Sequence, residues 1–312
     1  MLDDRLTEQR NPRSEEVDRL ASPEIVRLIN REDRTVARAV EREAEAIARA
    51  VDLVVAAFRS GGRLIYVGAG TSGRLGVLDA AEMPPTYGTD PEMVQGVIAG
   101  GFGALVRACE GAEDHPEDGA AAMDEKGVGA SDVVLGIATS GTTPYVHGAL
   151  SRARERGART GLLLCTPPGR ELLDAHDVVI APLTGPEVVT GSTRMKAGTA
   201  TKMVLNTITT AAMVRFGKVH GNLMVDLRVT CAKLQDRGER IVMATLGLDR
   251  AAVRGLLEAA GGHVKTALAM RRLGVGADEA RAALARVHGV IAALPRDGAA
   301  GAETGGGRAG AR

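Results

Sequence analysis

The stretch Val67-Gly68-Ala69-Gly70-Thr71-Ser72-Gly73-Arg74-Leu75-Gly76 decides how the chain is expected to fold. An apolar run at 63–67 precedes it and predicts a strand, and the residues that follow, 73–81, predict a helix. Glycine-rich turns between a strand and a helix present backbone N–H groups that bind phosphate. The hydroxyls of Thr71 and Ser72 suit a phosphate monoester. We therefore expect a phosphate-binding loop at this place.

The spacing of Gly68, Gly70 and Gly73 also fits the dinucleotide fingerprint of Rossmann domains. That interpretation requires an acidic residue at the end of the next strand, where it would bind the ribose hydroxyls. The next predicted strand, at 93–99, ends in Ile98-Ala99-Gly100-Gly101 and has no such acid. The loop therefore favours a sugar phosphate over a dinucleotide.

A second hydroxyl-rich loop, Thr139-Ser140-Gly141-Thr142-Thr143-Pro144, lies between a predicted strand at 133–138 and a predicted helix at 145–156. Taken alone it could be an ordinary helix cap, because Ser and Thr cap helices routinely. Two such loops after two strands favour a binding site, since ligands of parallel sheets bind beyond the carboxyl ends of the strands.

Strand and helix patterns alternate through the middle of the chain, which predicts an α/β fold with a parallel sheet covered on both faces. Two further strands are predicted at 160–165 and 178–181. The helical patterns comprise a helix capped by Ser22, one long helix over 36–58, a helix-like stretch at 103–109, a long helix at 193–216, a helical stretch at 226–240 and three short helices within 251–294.

These patterns divide the chain into four parts. We expect an N-terminal arm with helices at 1–53, of which 1–21 is polar and extended, and a sugar-phosphate-binding domain at 54–217. A C-terminal helical region at 218–295 and a disordered Gly/Ala-rich tail at 296–312 would follow.

Composition excludes several classes of protein. The 312 residues carry 39 basic and 39 acidic side chains, which argues against a nucleic-acid or membrane-surface partner. Cys109, Cys165 and Cys231 are far apart, as in reduced cytosolic proteins. No secretory signal, no apolar run of about 20 residues and no Cys/His cluster is visible. We expect a cytoplasmic protein without a metal or other cofactor.

Two glutamates are candidates for acid–base chemistry beside the loops. Glu82 lies just before Met83-Pro84-Pro85, which predicts a helix end or the turn after it, and Glu113 lies in the acidic run 110–114. An isolated glutamate is more often a solvated surface residue, and the acidic neighbours of Glu113 strengthen that alternative. Spacing alone does not choose between the two interpretations.

The motifs around these residues resemble those of the N-acetylmuramic acid 6-phosphate etherases, which belong to the sugar isomerase (SIS) domain superfamily. The resemblance extends over roughly residues 5–295 and is carried by five stretches, which are TEQRNPRSEEVDRLASPEIVRLINRED, GAGTSGRLGVLDAAEMPPTYG, EGAED, TGSTRMKAGTATK and HGNLMVDLRVT. It implies a three-layer αβα SIS domain, a small helical C-terminal domain, and a homodimer with active sites near the subunit interface.

The resemblance also implies residue roles. Glu82 would be the acid that protonates the departing lactate and then activates water, and Glu113 would be the base at C2. Glu110 lies three residues before Glu113, and this spacing, rather than the resemblance, would place both on one helix face, where Glu110 would contact sugar hydroxyls. The loop after 133–138 would hold the phosphate. The expected substrate-binding residues are Thr71, Ser72, Gly73, Glu110, Ser140, Gly141 and Thr143.

The chain departs from the family pattern at Thr142, where the family usually has Arg, and at His220, where it usually has Tyr. Two alternative functions remain beside the etherase, and the first of them shares these motifs. One is a non-catalytic sugar-phosphate sensor similar to glucokinase regulatory protein, although the chain is much shorter than a tandem double-SIS regulator. The other is a sugar-phosphate isomerase, which removes the C2 proton but never expels lactate. The long run around Glu82 favours the etherase, a family that implies cell-wall amino-sugar recycling.

Overall fold

The computed structural model describes residues 5–226 and 232–295. They form two compact units, one within Met1–Pro85 and Thr89–Ala212, the other within Thr86–Gly88 and Met213–Arg312. The expected disordered tail lies outside the described residues, and the four-part division of the chain stays a prediction. Within the described part, no helix combines the length and the apolar character that crossing a bilayer requires.

The first unit contains a five-stranded parallel sheet. Its strands are β1 (Leu64–Gly68), β2 (Val94–Ile98), β3 (Val133–Ile137), β4 (Arg159–Leu163) and β5 (Val178–Ile180). Their order across the sheet is β2-β1-β3-β4-β5, and every neighbouring pair is parallel. All residues of β1 and β3 are buried, as expected for strands covered on both faces. The predicted α/β class is confirmed.

Eight helices belong wholly or mostly to this unit. They are α1 (Ser22–Asp33), α2 (Val36–Glu41), α3 (Ala44–Arg59), α4 (Gly70–Tyr87), α5 (Pro116–Glu125), α6 (Pro144–Glu155), α7 (Arg170–Ala175) and α8 (Lys196–Arg215). Short 3₁₀ turns lie at Leu6–Glu8, Val17–Arg19 and Phe102–Leu105, so the helix-like stretch predicted at 103–109 is one such turn.

Helices pack on both faces of the sheet, because alternate side chains of each strand point to opposite faces. Ile65 and Val67 of β1 join Tyr145 and Val146 of α6 in one buried cluster. Tyr66, which points the other way, donates a hydrogen bond from its hydroxyl to Asp79 of α4 at 2.9 Å. This is the three-layer αβα arrangement that the resemblance implies.

Two predictions for the N-terminal helices were wrong in detail. The long helix expected over 36–58 is broken between α2 and α3, where the carboxylate of Glu43 accepts a hydrogen bond from the N–H of Ala181 at 3.0 Å. The N-cap of α1 is Ala21 rather than Ser22, because the carboxylate of Glu24 accepts the N–H of Ala21 at 2.9 Å and fixes the first turn there.

The helix α4 is longer than the predicted 73–81. It begins at Gly70 and continues through Pro84 and Pro85 to Tyr87. Met83 and Tyr87 are both buried, and this burial holds the last turn in place although the prolines cannot donate backbone hydrogen bonds. Glu82 therefore lies inside a helix, and the prediction that it lies at a helix end or in a turn was wrong.

The N-terminal arm is packed rather than extended. Asn11 donates a hydrogen bond to Glu32 at 2.8 Å, and the hydroxyl of Ser14 donates to the carbonyl of Val188 at 2.7 Å. Both arm residues are buried. Lys196, at the start of α8, pairs with the same Glu32 at 2.9 Å. The arm, α1 and the start of α8 are thus joined by one buried polar cluster.

The second unit is mainly helical. A short antiparallel pair, β6 (Val219–His220) and β7 (Leu223–Met224), precedes α9 (Ala232–Leu246), α10 (Arg250–Ala259), α11 (Val264–Leu273) and α12 (Ala277–Arg286), and a 3₁₀ turn at Ile291–Ala293 follows. The three short helices within 251–294 are confirmed. The start of the helical stretch expected from Asp226 falls partly on 227–231, outside the described residues. The unit has its own apolar core, which includes Val242, Val253, Ala267, Leu268 and Ala280.

Candidate functional site

A cavity of about 560 Å³ opens at the carboxyl ends of β1 and β3, where the two hydroxyl-rich loops meet. Seven of the residues that line it carry hydroxyl groups, and three carry carboxylates. The lining residues are Arg5, Glu8, Ala69, Gly70, Thr71, Ser72, Glu113, Asp114, Thr139, Ser140, Thr142, Thr143, Pro144, Gly191, Thr193 and Gly198.

The first loop turns directly from β1 into α4. Gly70 has a φ of +52°, which favours glycine, and Thr71 and Ser72 line the cavity. Gly73 does not line it. A Cβ at Gly73 would lie 2.6 Å from a side-chain carbon of Ile98 and 2.7 Å from the carbonyl oxygen of Gly68. Gly73 therefore has a packing role that lets the helix approach the strand, and its expected contact with the substrate stays a prediction.

The second loop is held in place by hydrogen bonds from a residue just after β4 and from a residue of α6. The N–H of Cys165 donates to the carbonyl of Thr139 at 2.8 Å, and the ring Nε2 of His147 lies 2.9 Å from the carbonyl oxygen of Gly141. Gly141, at φ +79°, shapes the turn without lining the cavity. Ser140 and Thr143 do line it, and the hydroxyl oxygens of Ser140 and Thr142 are 3.1 Å apart. The loop presents its hydroxyls at the N-terminus of α6.

Glu113 lies in the cavity, as a candidate base must. The segment 110–114 is a turn and not a helix, so the expectation that Glu110 and Glu113 share a helix face was wrong. The carbonyl oxygen of Glu113 accepts the N–H of Tyr145 at 3.0 Å, and this bond fixes the turn. Glu110 lines a smaller adjoining cavity of about 120 Å³, and Glu113 also lines that cavity.

Glu82, unlike Glu113, lies away from the cavity. It is exposed on α4, eleven residues after Thr71, and this spacing corresponds to about 16 Å along the helix axis. It lines neither of the two cavities that contain Glu113. One chain therefore brings Glu113, but not Glu82, to the hydroxyl-rich loops.

The sequence did not single out several of the lining residues. Arg5 and Glu8 come from the N-terminal arm, and Gly191, Thr193 and Gly198 come from the segment around the start of α8. The guanidinium of Arg5 donates a hydrogen bond to the hydroxyl of Thr142 at 3.0 Å, across 137 positions of sequence. Glu8 lies in the long motif at 7–33, and Gly191, Thr193 and Gly198 lie in the motif at 190–202, so these two motifs were the available signal for them. Arg5 lies outside both motifs.

Buried carboxylates hold the N-terminal arm and the segment around the start of α8 in place. Burial of Glu32 opposes its ionisation, but hydrogen bonds from Arg13, Lys196 and Asn11 outweigh burial and lower the pKa of Glu32 to about 2. The carboxylate of Glu187 accepts the N–H groups of Lys196 and Ala197 at 3.0 Å each and so caps α8. The segment that carries Thr193 is therefore tied to Glu187 and, through Lys196 and Glu32, to α1 and the N-terminal arm.

Another buried carboxylate, that of Asp79, supports α4 itself. Asp79 accepts hydrogen bonds from Tyr66, Asn206 and Thr209, which join α4 to β1 and α8. Burial raises the pKa of Asp79 despite these donors. The helix that presents Thr71 and Ser72 is therefore anchored from its buried side.

His220, where the chain departs from the family pattern, and Asp226 both belong to the second unit. His220 is half-buried on β6, and Asp226 pairs with Lys218 at 2.5 Å and with Lys265 at 3.2 Å. Over 5–226 and 232–295, no group of three Cys, His, Asp or Glu side chains is placed to hold a metal ion. The expected lack of a metal or cofactor stays a prediction.

The parallel sheet with two hydroxyl-rich loops at the carboxyl ends of its strands places this chain among the SIS-domain proteins. A family model described as the glucokinase regulatory protein N-terminal SIS domain matches residues 46–154. Among solved structures, a phosphoheptose isomerase from Neisseria gonorrhoeae is 18% identical with a TM-score of 0.48, over 62% of this chain and all of that one.

Curated relatives narrow the class to a family. A protein of Mycolicibacterium smegmatis is 53% identical over 91% of this chain and 95% of the relative, and one of Salinibacter ruber is 56% identical over 93% of each. Both are named N-acetylmuramic acid 6-phosphate etherase. The chain belongs to the N-acetylmuramic acid 6-phosphate etherase family.

Proposed function

We propose that this chain is a lyase that cleaves the D-lactyl ether of N-acetylmuramic acid 6-phosphate and yields N-acetylglucosamine 6-phosphate and D-lactate. One observation carries the proposal for the site: a carboxylate, Glu113, faces two hydroxyl-rich loops inside one cavity. Such loops suit the phosphate, and the carboxylate suits proton abstraction from the sugar. The named relatives supply the reaction.

The chemistry follows from the open-chain form of the sugar. The C2 proton is acidic because it lies next to the aldehyde, so the carboxylate of Glu113 takes it as the bond between C3 and the lactyl oxygen breaks. The departing lactyl oxygen needs a proton, which Glu82 supplies. Glu82 then takes a proton from water as the water oxygen adds to C3, and Glu113, whose proton has meanwhile exchanged with solvent, protonates C2.

Glu82 can take this role if a second copy of the chain brings it to the cavity, and we propose a homodimer on that ground. Leu78 lies one turn before Glu82 on α4 and is 48% exposed. Phe102 and Val106 are 84% and 82% exposed, and the turn that carries them is joined to α4 by a hydrogen bond from Arg74 to the carbonyl of Leu105. Exposed apolar side chains beside a required catalytic group favour burial against another subunit.

Mixing two inactive variants tests the shared site. In a one-to-one mixture of Glu82→Gln and Glu113→Gln, half of the dimers are mixed, and each mixed dimer has one intact site if the two residues come from different subunits. About a quarter of the activity should therefore return. No recovery, in a mixture whose subunits have exchanged, would contradict the shared site. Light scattering of the wild-type chain checks the dimer independently.

The reaction itself is tested with N-acetylmuramic acid 6-phosphate in deuterated water. D-Lactate release together with deuterium at C2 of the product is the expected result, because the abstracted proton exchanges with solvent. Deuterium at C2 without lactate would indicate an isomerase-like site. Binding without either change would indicate a sugar-phosphate sensor.

We also propose a cytoplasmic location and a role in the recycling of cell-wall amino sugars. The substrate is a phosphorylated sugar, a dianion that does not cross a bilayer unaided, so its consumer must share the compartment in which it is made. Fractionation of cells that express the chain, with the etherase assay on each fraction, tests the location.

A further inference from the structure

The guanidinium of Arg5 lies over the second loop. Its Nη1 donates to the hydroxyl of Thr142 at 3.0 Å, and that hydroxyl lies 3.1 Å from the hydroxyl of Ser140. Among the lining residues in the described part of the chain, Arg5 is the one cationic side chain, whereas Glu8, Glu113 and Asp114 are acidic. The cavity wall thus carries one positive and three negative formal charges.

This balance is unfavourable for an anionic ligand. A phosphate monoester near neutral pH carries close to two negative charges, and three carboxylates around it raise its energy. Hydroxyls and the N-terminus of α6 offer dipoles without a full charge. A guanidinium supplies both a permanent positive charge and a planar set of donors that fits two phosphate oxygens.

The position of Arg5 is supported by the rest of the arm. Thr7 is 1% exposed and Asn11 is 3% exposed, and Asn11 donates to the buried Glu32 and to the carbonyl of Pro186. Glu8 lies against Gly191, where a Cβ would be 3.2 Å from a carboxylate oxygen. The arm therefore spans the cavity from the loop at Thr142 to the segment at Gly191, and it is anchored on the buried side.

We propose that Arg5 is a substrate-binding residue that neutralises the phosphate of the sugar from the N-terminal arm. The inference rests on the proposed function, since it takes the ligand to be a sugar 6-phosphate. It adds a residue far from both loops in sequence, and it makes the arm a part of the binding site.

Binding measurements with two probes test the proposal, N-acetylglucosamine 6-phosphate by calorimetry and unphosphorylated N-acetylglucosamine by ligand-observed NMR. The variants are Arg5→Gln, Arg5→Lys and, as the matched control, Arg10→Gln, which is exposed on the same arm and does not line the cavity. We expect Arg5→Gln to weaken binding of the phosphorylated sugar about 10-fold to 100-fold and to reduce its salt dependence.

The same variant should bind the unphosphorylated sugar as the wild type does. Arg5→Lys should lose less than Arg5→Gln, because it keeps the charge and loses only the planar donors. Arg10→Gln should match the wild type with both probes. If Arg5→Gln preserves the wild-type preference for the phosphorylated sugar, the proposal for Arg5 is overturned while the proposed function stands. If the wild type itself shows no preference, the proposed substrate is wrong and the role of Arg5 with it.

Discussion

The backbone N–H of Tyr145 donates a hydrogen bond to the carbonyl oxygen of Glu113 at 3.0 Å. Tyr145 is the second residue of α6, directly after the loop that carries Ser140 and Thr143. The start of one helix therefore fixes both the hydroxyl-rich loop and the turn that presents the candidate base. Glu113 itself is exposed, so its position depends on this backbone bond rather than on burial of its side chain.

Glu113→Gln should abolish lactate release and C2 exchange together. Glutamine keeps the shape of the side chain but cannot accept the C2 proton, and loss of a general base typically lowers the rate about 10²–10⁴-fold. The matched control is Glu117→Gln, at an exposed glutamate in the first turn of α5 that lies outside the cavity. Lactate assays and NMR at C2 measure both steps, and C2 exchange at the wild-type rate in Glu113→Gln would remove it as the base.

Gly148→Ala and Gly255→Ala, both inside helices, should change stability in opposite directions. A Cβ at Gly148 of α6 would lie 1.9 Å from the carbonyl oxygen of Pro116, at the start of α5, so the two helices would have to separate. A Cβ at Gly255 of α10 meets no atom within 4 Å.

We therefore expect Gly148→Ala to destabilise by about 1–3 kcal/mol and Gly255→Ala to stabilise by about 0.5–1 kcal/mol. Urea denaturation of each variant measures both values. Since α6 also holds Glu113, Gly148→Ala should lower activity as well, and equal stability of the two variants would show that α5 and α6 are not closely packed.

Lys196→Met should destabilise the first unit strongly. Lys196 and Glu32 are 1% and 2% exposed, and removal of the lysine leaves a buried carboxylate with fewer donors, which typically costs about 3–5 kcal/mol. Lys202→Met, at an exposed lysine of the same helix, is the control and should change stability little. Chemical denaturation compares the two variants, and a similar small effect in both would mean that the buried pair contributes nothing.

The stability of the protein should fall in acid because of Glu32. Its pKa is about 2 in the folded chain and 4.5 ordinarily, so below about pH 4.5 the unfolded state binds the proton first. The contribution is complete above pH 4.5 and is lost as the pH falls towards 2, and it amounts to at most about 3 kcal/mol. Denaturation at pH 6 and pH 3 should show a smaller loss in Glu32→Gln than in the wild type. An equal loss in both would assign the acid sensitivity to other groups.

Local sequence determined the elements that form the sheet and its two loops. Apolar runs of four to seven residues, bounded by glycine and hydroxyl residues, predicted all five strands to within two residues, because burial on both faces leaves few other patterns. The same reasoning identified Thr71, Ser72, Ser140 and Thr143, which lie directly after strand ends in sequence and in space.

Only the tertiary structure decided what lies opposite those loops. Arg5 reaches Thr142 because the buried cluster around Glu32 holds the arm, and Thr193 faces the same cavity because Glu187 caps α8. Periodicity within one segment carries no information about contacts more than a hundred residues apart. The same limit applies to Glu82, because the helix continues through two prolines when buried side chains hold it, and it carries this glutamate away from the loops of its own chain.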